Sequence, residues 1–260
     1  MEFLTIEYNT NFYDNELKDF LVDTVNIAFN GINYLHVGYR KKFNDIYIEL
    51  SDPVITSTNQ WEYFNGTTWE ILETVDETSG LTKPGFVFFT PPSDWEMTGV
   101  EAKEAYYIRL LKPAAETVIL NGVGAVFAND NDLKEKYRKI NDFLAPGDLN
   151  FIAFHQSVRK DIVQYIRNKG NAKYNNTDIF VWDFLDRSQL RLAGTYWALA
   201  QIFFNVSDST DGKFYQLAQD YVKKAQKNID VYLLDLDKDD DGEKSNDPLN
   251  KINYTRIVDL

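Results

Sequence analysis

Apolar and polar residues alternate with a period of two along the first half of the chain. In Ile32 to Tyr39 (INYLHVGY), Leu35, Val37 and Tyr39 fall on one face. In Asp45 to Leu50 (DIYIEL), Ile46, Ile48 and Leu50 fall on one face, with Tyr47 and Glu49 on the other. That is the pattern of half-buried strands. Gly85 to Phe89 (GFVFF) is apolar on both faces, as a central strand between two layers would be. Ala105 to Leu111 (AYYIRLL) and Thr117 to Phe127 (TVILNGVGAVF) complete the set, and Asn15 to Val25 is expected to add a helical turn. Turn signals at Asn65-Gly66, Ser79-Gly80, Lys83-Pro84-Gly85 and Pro91-Pro92 separate the strands. Asn65-Gly66 predicts a two-residue hairpin turn, which needs positive φ at both central positions. Many short strands without interleaved helices predict an antiparallel β-sandwich.

Near residue 130 the period changes. Asn129 to Gly147 opens on helix-capping residues and closes on Pro-Gly. In the next segment Ile152, Phe154 or His155, Val158, Ile162 and Ile166 share a helical face, and Gly170 marks the stop. Ser188 to Asn205 carries two apolar stripes: Leu190, Ala193, Trp197, Ala200 and Phe204, and Leu192, Tyr196, Leu199 and Phe203. Such a helix is expected at the centre of a bundle. Phe214 to Asp235 is amphipathic through Leu217, Ala218, Tyr221, Val222, Ala225, Ile229 and Tyr232, and the last residues read as an extended tail. The fold class is therefore α+β as two segregated domains: a β-sandwich over 1–128 and an all-α helical bundle over 129–260. No internal repeat is evident.

Composition narrows the function classes. The 260 residues are 44% hydrophobic, enough for a core of this size, and the net charge is −13. A basic nucleic-acid-binding face is not expected from that balance. The N-terminus does not read as a signal peptide, and the longest apolar run, Leu192 to Phe204, falls short of the roughly 20 residues that span a bilayer. No membrane association is expected. The absence of cysteine excludes disulfides, thiolate metal sites and cysteine nucleophiles, and fits a reducing cytoplasm. Sequons at Asn65, Asn175, Asn205 and Asn253 carry little weight without a secretion signal.

Candidate chemistry is sparse. His36 lies mid-strand and His155 lies on or beside a buried helical stripe; neither accompanies a nucleophile motif, so both read as ordinary structural or surface histidines. Gly122-Val123-Gly124 lacks the third glycine of a dinucleotide loop. Forty Asp and Glu do not make a glycosidase without two carboxylates at a set separation. No catalytic residue and no cofactor is expected, and the chain is read as not an enzyme. Asp237, Asp239, Asp241 and Gly242 match the first half of a calcium loop, but Pro248 stands where the bidentate Glu belongs. These three aspartates are the candidate calcium site, weighed against a solvated acidic loop. Trp61, Tyr63 and Trp69 flank the Asn-Gly turn and present a rival reading, the aromatic platform of a carbohydrate-binding module.

The order of features from Tyr34 to Lys112 is Trp61-x-Tyr63, Asn65-Gly66, Trp69, the Asp76-x-Thr78-x-Gly80-Leu81 loop, Phe86 to Pro92, Trp95, and Tyr107-x-Arg109. It resembles the β-sandwich domain of baseplate and neck components of tailed bacteriophages. The helical half, with the Leu190 to Phe204 helix and the Asp-rich run near the end, is similar to head-to-tail connector, or adaptor, proteins. The resemblance implies a virion structural protein, assembled in the host cytoplasm, that forms a homo-oligomeric ring at the neck. Its partners would be the portal, neighbouring neck or tail rings and fibres, and DNA would pass without specific binding. A baseplate or fibre-attachment component is the alternative. Neither family brings catalytic residues.

Overall fold

Leu35 and Val37 are fully buried and Tyr39 is 1% exposed, while Tyr34 and His36 between them are half-buried, so the period-two reading of this segment holds. The computed structural model describes residues 4–8, 11–15, 20–21, 25–29, 34–55, 59–100, 103–112, 115–170, 181, 184, 186–207, 212–231, 234–235 and 251–252. Its packing divides the chain into two compact units, one running to Ala125 and the other beginning at Val126.

The first unit contains strands β1 (Leu4–Tyr8), β2 (Asn11–Asn15), β3 (Phe20–Leu21), β4 (Val25–Phe29), β5 (Tyr34–Tyr39), β6 (Asp45–Asp52), β7 (Gln60–Phe64), β8 (Trp69–Ile71), β9 (Thr74–Asp76), β10 (Gly85–Phe89), β11 (Thr98–Val100), β12 (Lys103–Leu111) and β13 (Glu116–Gly124). They form two antiparallel sheets. One is ordered β2-β1-β5-β12-β7-β8, with β11 also on β12; the other is β3-β13-β6-β10-β9, with β4 also on β13. Trp95 joins them. Its ring lies 6.0 Å from Phe89 of the second sheet, 5.6 Å from Tyr106 of the first and 5.1 Å from Phe43 in the loop before β6, and its Nε1 donates to the Tyr107 carbonyl at 3.2 Å. The indole is fully buried yet hydrogen-bonded, which removes the cost of burying its N–H.

Three expectations change. The helical turn expected within Asn15–Val25 is not found where the structure describes that stretch: Phe20–Leu21 is extended and pairs with Val123 and Gly124, while residues 16–19 and 22–24 lie outside the described residues. β6 is not half-buried; every residue from Asp45 to Leu50 is buried. On its polar face Tyr47 donates to Glu49 at 2.6 Å, so the two polar groups partner each other out of water. The hairpin after β7 exists, but Phe64 pairs with Trp69, leaving a four-residue loop. Gly66 alone takes a positive φ there, 91°. The Asn65 side-chain oxygen accepts from the N–H groups of Thr67 and Thr68 at 2.9 and 2.8 Å, so an Asx turn replaces the two-residue turn. By contrast β10 is flanked by β6 and β9 and buried on both faces, as its sequence predicts.

The second unit holds helices α1 (Asp130–Lys136), α2 (Ile152–Gly170), α3 (Arg191–Asn205) and α4 (Lys213–Val231), with 3-10 turns at Ile140–Phe143 and Arg187–Leu190. Short strands β14 (Leu234–Asp235) and β15 (Lys251–Ile252) pair antiparallel. Asn129 and Asp132 form the capping box that starts α1. The helix ends at Tyr137, which turns extended and sets its ring 5.1 Å from Phe203 and 5.9 Å from Phe143. Ring packing thus stops a helix that the sequence pattern would carry further.

α3 is central, packing on α1, α2 and α4. Its buried arc is made largely of small residues, Ala193, Gly194, Thr195, Ala198 and Ala200, with Leu199, Ile202 and Phe203. Trp197 and Tyr196 are only half-buried and Phe204 is exposed, so neither predicted stripe is wholly inside. Small side chains let the backbone approach its neighbours: a Cβ on Gly194 would stand 2.8 Å from Cβ of Phe127. Among the described residues no helix is long and apolar enough to cross a membrane.

Candidate functional site

Cross-strand register assembles the first cluster. Arg109 of β12 lies opposite His36 of β5 on one side and Glu62 of β7 on the other. Alternation puts Tyr34, His36, Arg109, Glu62 and Trp69 on the face of the sheet turned away from Leu35, Val37, Ile108, Leu110 and Trp61. The guanidinium sits between two aromatic faces, 3.9 Å from the Tyr34 ring centre and 4.1 Å from that of Trp69. Its Nε and Nη2 both lie 2.6 Å from Glu62 Oε2. His36 packs against Tyr34, Trp69 and Tyr107 with ring centres 5.6 to 6.3 Å apart. A cation stacked on two rings and paired with a shielded carboxylate links four strands, β5, β7, β8 and its own β12, through one side chain.

The platform formed by Trp61, Tyr63 and Trp69 is not present. Trp61 is 3% exposed, and Trp69, opposite Phe64, faces the other side of the sheet. The Asx loop preserves even alternation between Trp61 and Tyr63 but places Trp69 in the opposite set. A sugar-stacking surface needs coplanar exposed rings, and here one is interior and another is stacked on Arg109. Tyr63 donates to Asp94 at 3.1 Å; desolvation first, and then Asp94, raise its phenol above the usual tyrosine value.

The second cluster surrounds the Asp76–Thr82 loop. Ser79, Gly80 and Leu81 take φ of 52°, 73° and 68°, three successive left-handed residues, two of them not glycine. Such a run is costly for side chains with a Cβ and persists where neighbours hold it. The Asp76 carboxylate accepts from Thr78 N at 2.8 Å, Gly80 N at 3.2 Å and Asn59 Nδ2 at 2.7 Å. The fully buried Lys112 donates its Nζ to the Gly80 carbonyl at 2.9 Å and lies 3.5 Å from Glu116. Burial holds the Lys112 ammonium below the usual lysine value, against the opposing pull of Glu116 and Asp76. The lysine is pinned on a backbone carbonyl and acts as a clamp on the loop.

The third cluster lies in the helical unit. Asp130 Oδ1 is 3.0 Å from His155 Nε2 and 3.2 Å from the Phe151 N–H, which ties the start of α1 to the start of α2. Asp132 accepts from Arg191 Nε at 2.9 Å and from the Asn129 N–H at 2.9 Å, tying the same turn to α3. Burial raises the Asp132 carboxyl above its usual value despite those donors. The Asp-His pair is interior: His155 is 2% exposed, and its Nδ1 has no hydrogen-bond partner among the described residues.

Gly122-Val123-Gly124 lies within β13 as strand. Asp237, Asp239 and Asp241 lie outside the described residues, and no group of three or more potential metal ligands occurs among those described. Glu62 and Lys112 are residues a one-dimensional reading misses, and it names Arg109 only within Tyr107-x-Arg109, without its partners. Arg109 and Glu62 are 47 positions apart, and only the register of β7 on β12 shows that they meet. No protein-family model matches the sequence, and a search of curated proteins finds no relative.

Proposed function

We propose that the chain is a virion structural protein of a tailed bacteriophage, part of a connector or adaptor ring at the head-tail neck, acting through subunit contacts and not catalysis. In this reading the two sheets face each other as a β-sandwich, and the helices form a segregated adaptor-like bundle that docks toward the portal. The observation that carries it is the Arg109 stack. The aromatic residues shared with the phage pattern, Trp61, Trp69 and Trp95, are engaged in interior packing or in the Arg109 stack, which suits a rigid building block. Net charge favours the same setting: −13 per copy, repeated around a ring, repels a phosphate backbone and lets DNA pass. A candidate calcium site at Asp237, Asp239 and Asp241 remains part of the proposal.

Imaging of intact particles together with cross-linking mass spectrometry tests it. Cross-links to the portal or to neighbouring neck rings are expected. Cross-links confined to baseplate or fibre proteins would move the chain to that alternative position, and absence from purified particles would end the assignment.

A further inference from the structure

Among the described residues, a short segment of this acidic chain is strongly basic and lies at the surface. Lys134, Lys136, Arg138 and Lys139 are all exposed at the end of α1 and in the turn after it, with Glu135 between the first two. Among the described residues none of these four cations has an ion-pair partner, because the nearby Asp130 and Asp132 are committed to His155 and Arg191. In the first unit the opposite holds. Residues 59–82 contain Glu62, Glu70, Glu73, Asp76 and Glu77 and no lysine, arginine or histidine. Glu62 and Asp76 are internally engaged, whereas Glu70 and Glu73 are exposed on either side of Ile71–Leu72. Within this acidic stretch two large apolar side chains face solvent: Ile71, 67% exposed on the edge strand β8, and Val75, 69% exposed on the edge strand β9. Exposed apolar residues rimmed by charge have the make-up of a contact surface.

We propose that these two surfaces are halves of one contact between copies: the acidic Glu70–Val75 edge of one protomer receives the basic Lys134–Lys139 segment of the next. Each surface repels its own duplicate, so a two-fold contact between like patches is disfavoured. Complementary patches at different places on one chain pair either reciprocally across a two-fold axis or head to tail, and it is the head-to-tail contact, which closes into a ring or runs on as a filament, that the ring reading selects. Duplex DNA is the weaker occupant for the basic segment, since the remainder of a −13 chain opposes its approach. The inference rests on the ring reading above and names the surfaces that would close the ring.

Sedimentation velocity of the purified full-length protein at low and high salt tests it, with circular dichroism to show that each variant is folded. The Glu70→Lys/Glu73→Lys variant and the Lys136→Glu/Arg138→Glu variant are each expected to weaken self-association by about tenfold or more at low salt, from like-charge opposition. High salt is expected to weaken the wild type in the same direction. The variant carrying all four reversals is expected to recover association, a rescue that general destabilisation does not produce. Association that ignores both reversals, or that the combined variant fails to restore, overturns this contact and leaves the ring reading standing. A wild type that stays monomeric at every concentration overturns both. Loss of duplex-DNA binding in Lys136→Glu/Arg138→Glu, with self-association intact, assigns the segment to nucleic acid and also overturns the contact.

Discussion

Arg109 shows what a single side chain does in this fold. Removing it takes away the cation between Tyr34 and Trp69 and leaves Glu62, which is 8% exposed, without its charge partner. An uncompensated shielded carboxylate is the expensive part of that change. Arg109→Met is therefore expected to cost about 2–4 kcal/mol, and Glu62→Leu/Arg109→Met to cost less than the single change because no orphaned charge remains. Urea unfolding followed by tryptophan fluorescence checks both; equal costs would show that the ion pair is incidental to the stack. Trp69 misleads when read alone. Its character as a tryptophan is plain in the sequence, but which face of the sheet it occupies is set by the number of residues in the Asx loop, a quantity that Asn-Gly by itself does not determine.

At the level of elements, the strands were legible wherever one face is buried and the other is wet, as in β5, and α2 and α4 were legible from their helical stripes. What escaped was long-range: β6 is buried on both faces because Tyr47 and Glu49 satisfy each other, and α1 stops early because Tyr137 packs on a ring 66 positions away, Phe203. Local period does not carry such partners. α3 makes the point testable. Alanine in place of a helical glycine ordinarily stabilises by about 1 kcal/mol. At Gly194 the added methyl meets Phe127 at 2.8 Å and its backbone carbonyl carbon at 3.1 Å. Gly194→Ala is therefore expected to lower stability by about 1–3 kcal/mol, as overpacking does. A thermal melt reads the sign, and a higher midpoint would mean that α3 shifts freely against the preceding segment.

For the whole molecule, the charge states set an alkaline limit. Burial raises the phenols of Tyr63, Tyr165 and Tyr221 above the ordinary value. Burial pulls Lys169 down, but its contacts with Asp230 and Tyr165 outweigh that and leave it raised. In each of these groups the folded state holds its proton longer than the unfolded chain, so stability falls as pH climbs past the ordinary value of about 10. Lys112, lowered by burial, runs the other way and gains stability as pH approaches the ordinary lysine value from below. The three raised phenols and Lys169 predict a loss of stability above about pH 10, with the absorbance of those three phenolates lagging until the protein unfolds. A melting temperature that stays level or rises over that range would contradict the balance. The Asx turn has a slower consequence. Asn-Gly is a chemically labile pair, since the glycine nitrogen can attack the asparagine carboxamide carbon, closing a cyclic imide and releasing ammonia, after which water opens the imide to a carboxylic acid. In the folded chain the Asn65 carboxamide oxygen is held by the Thr67 and Thr68 amides, which restrains the approach that reaction needs. Each local opening of the hairpin releases it, so the acid formed at Asn65 accumulates as a record of how often this loop has come apart over the lifetime of the protein.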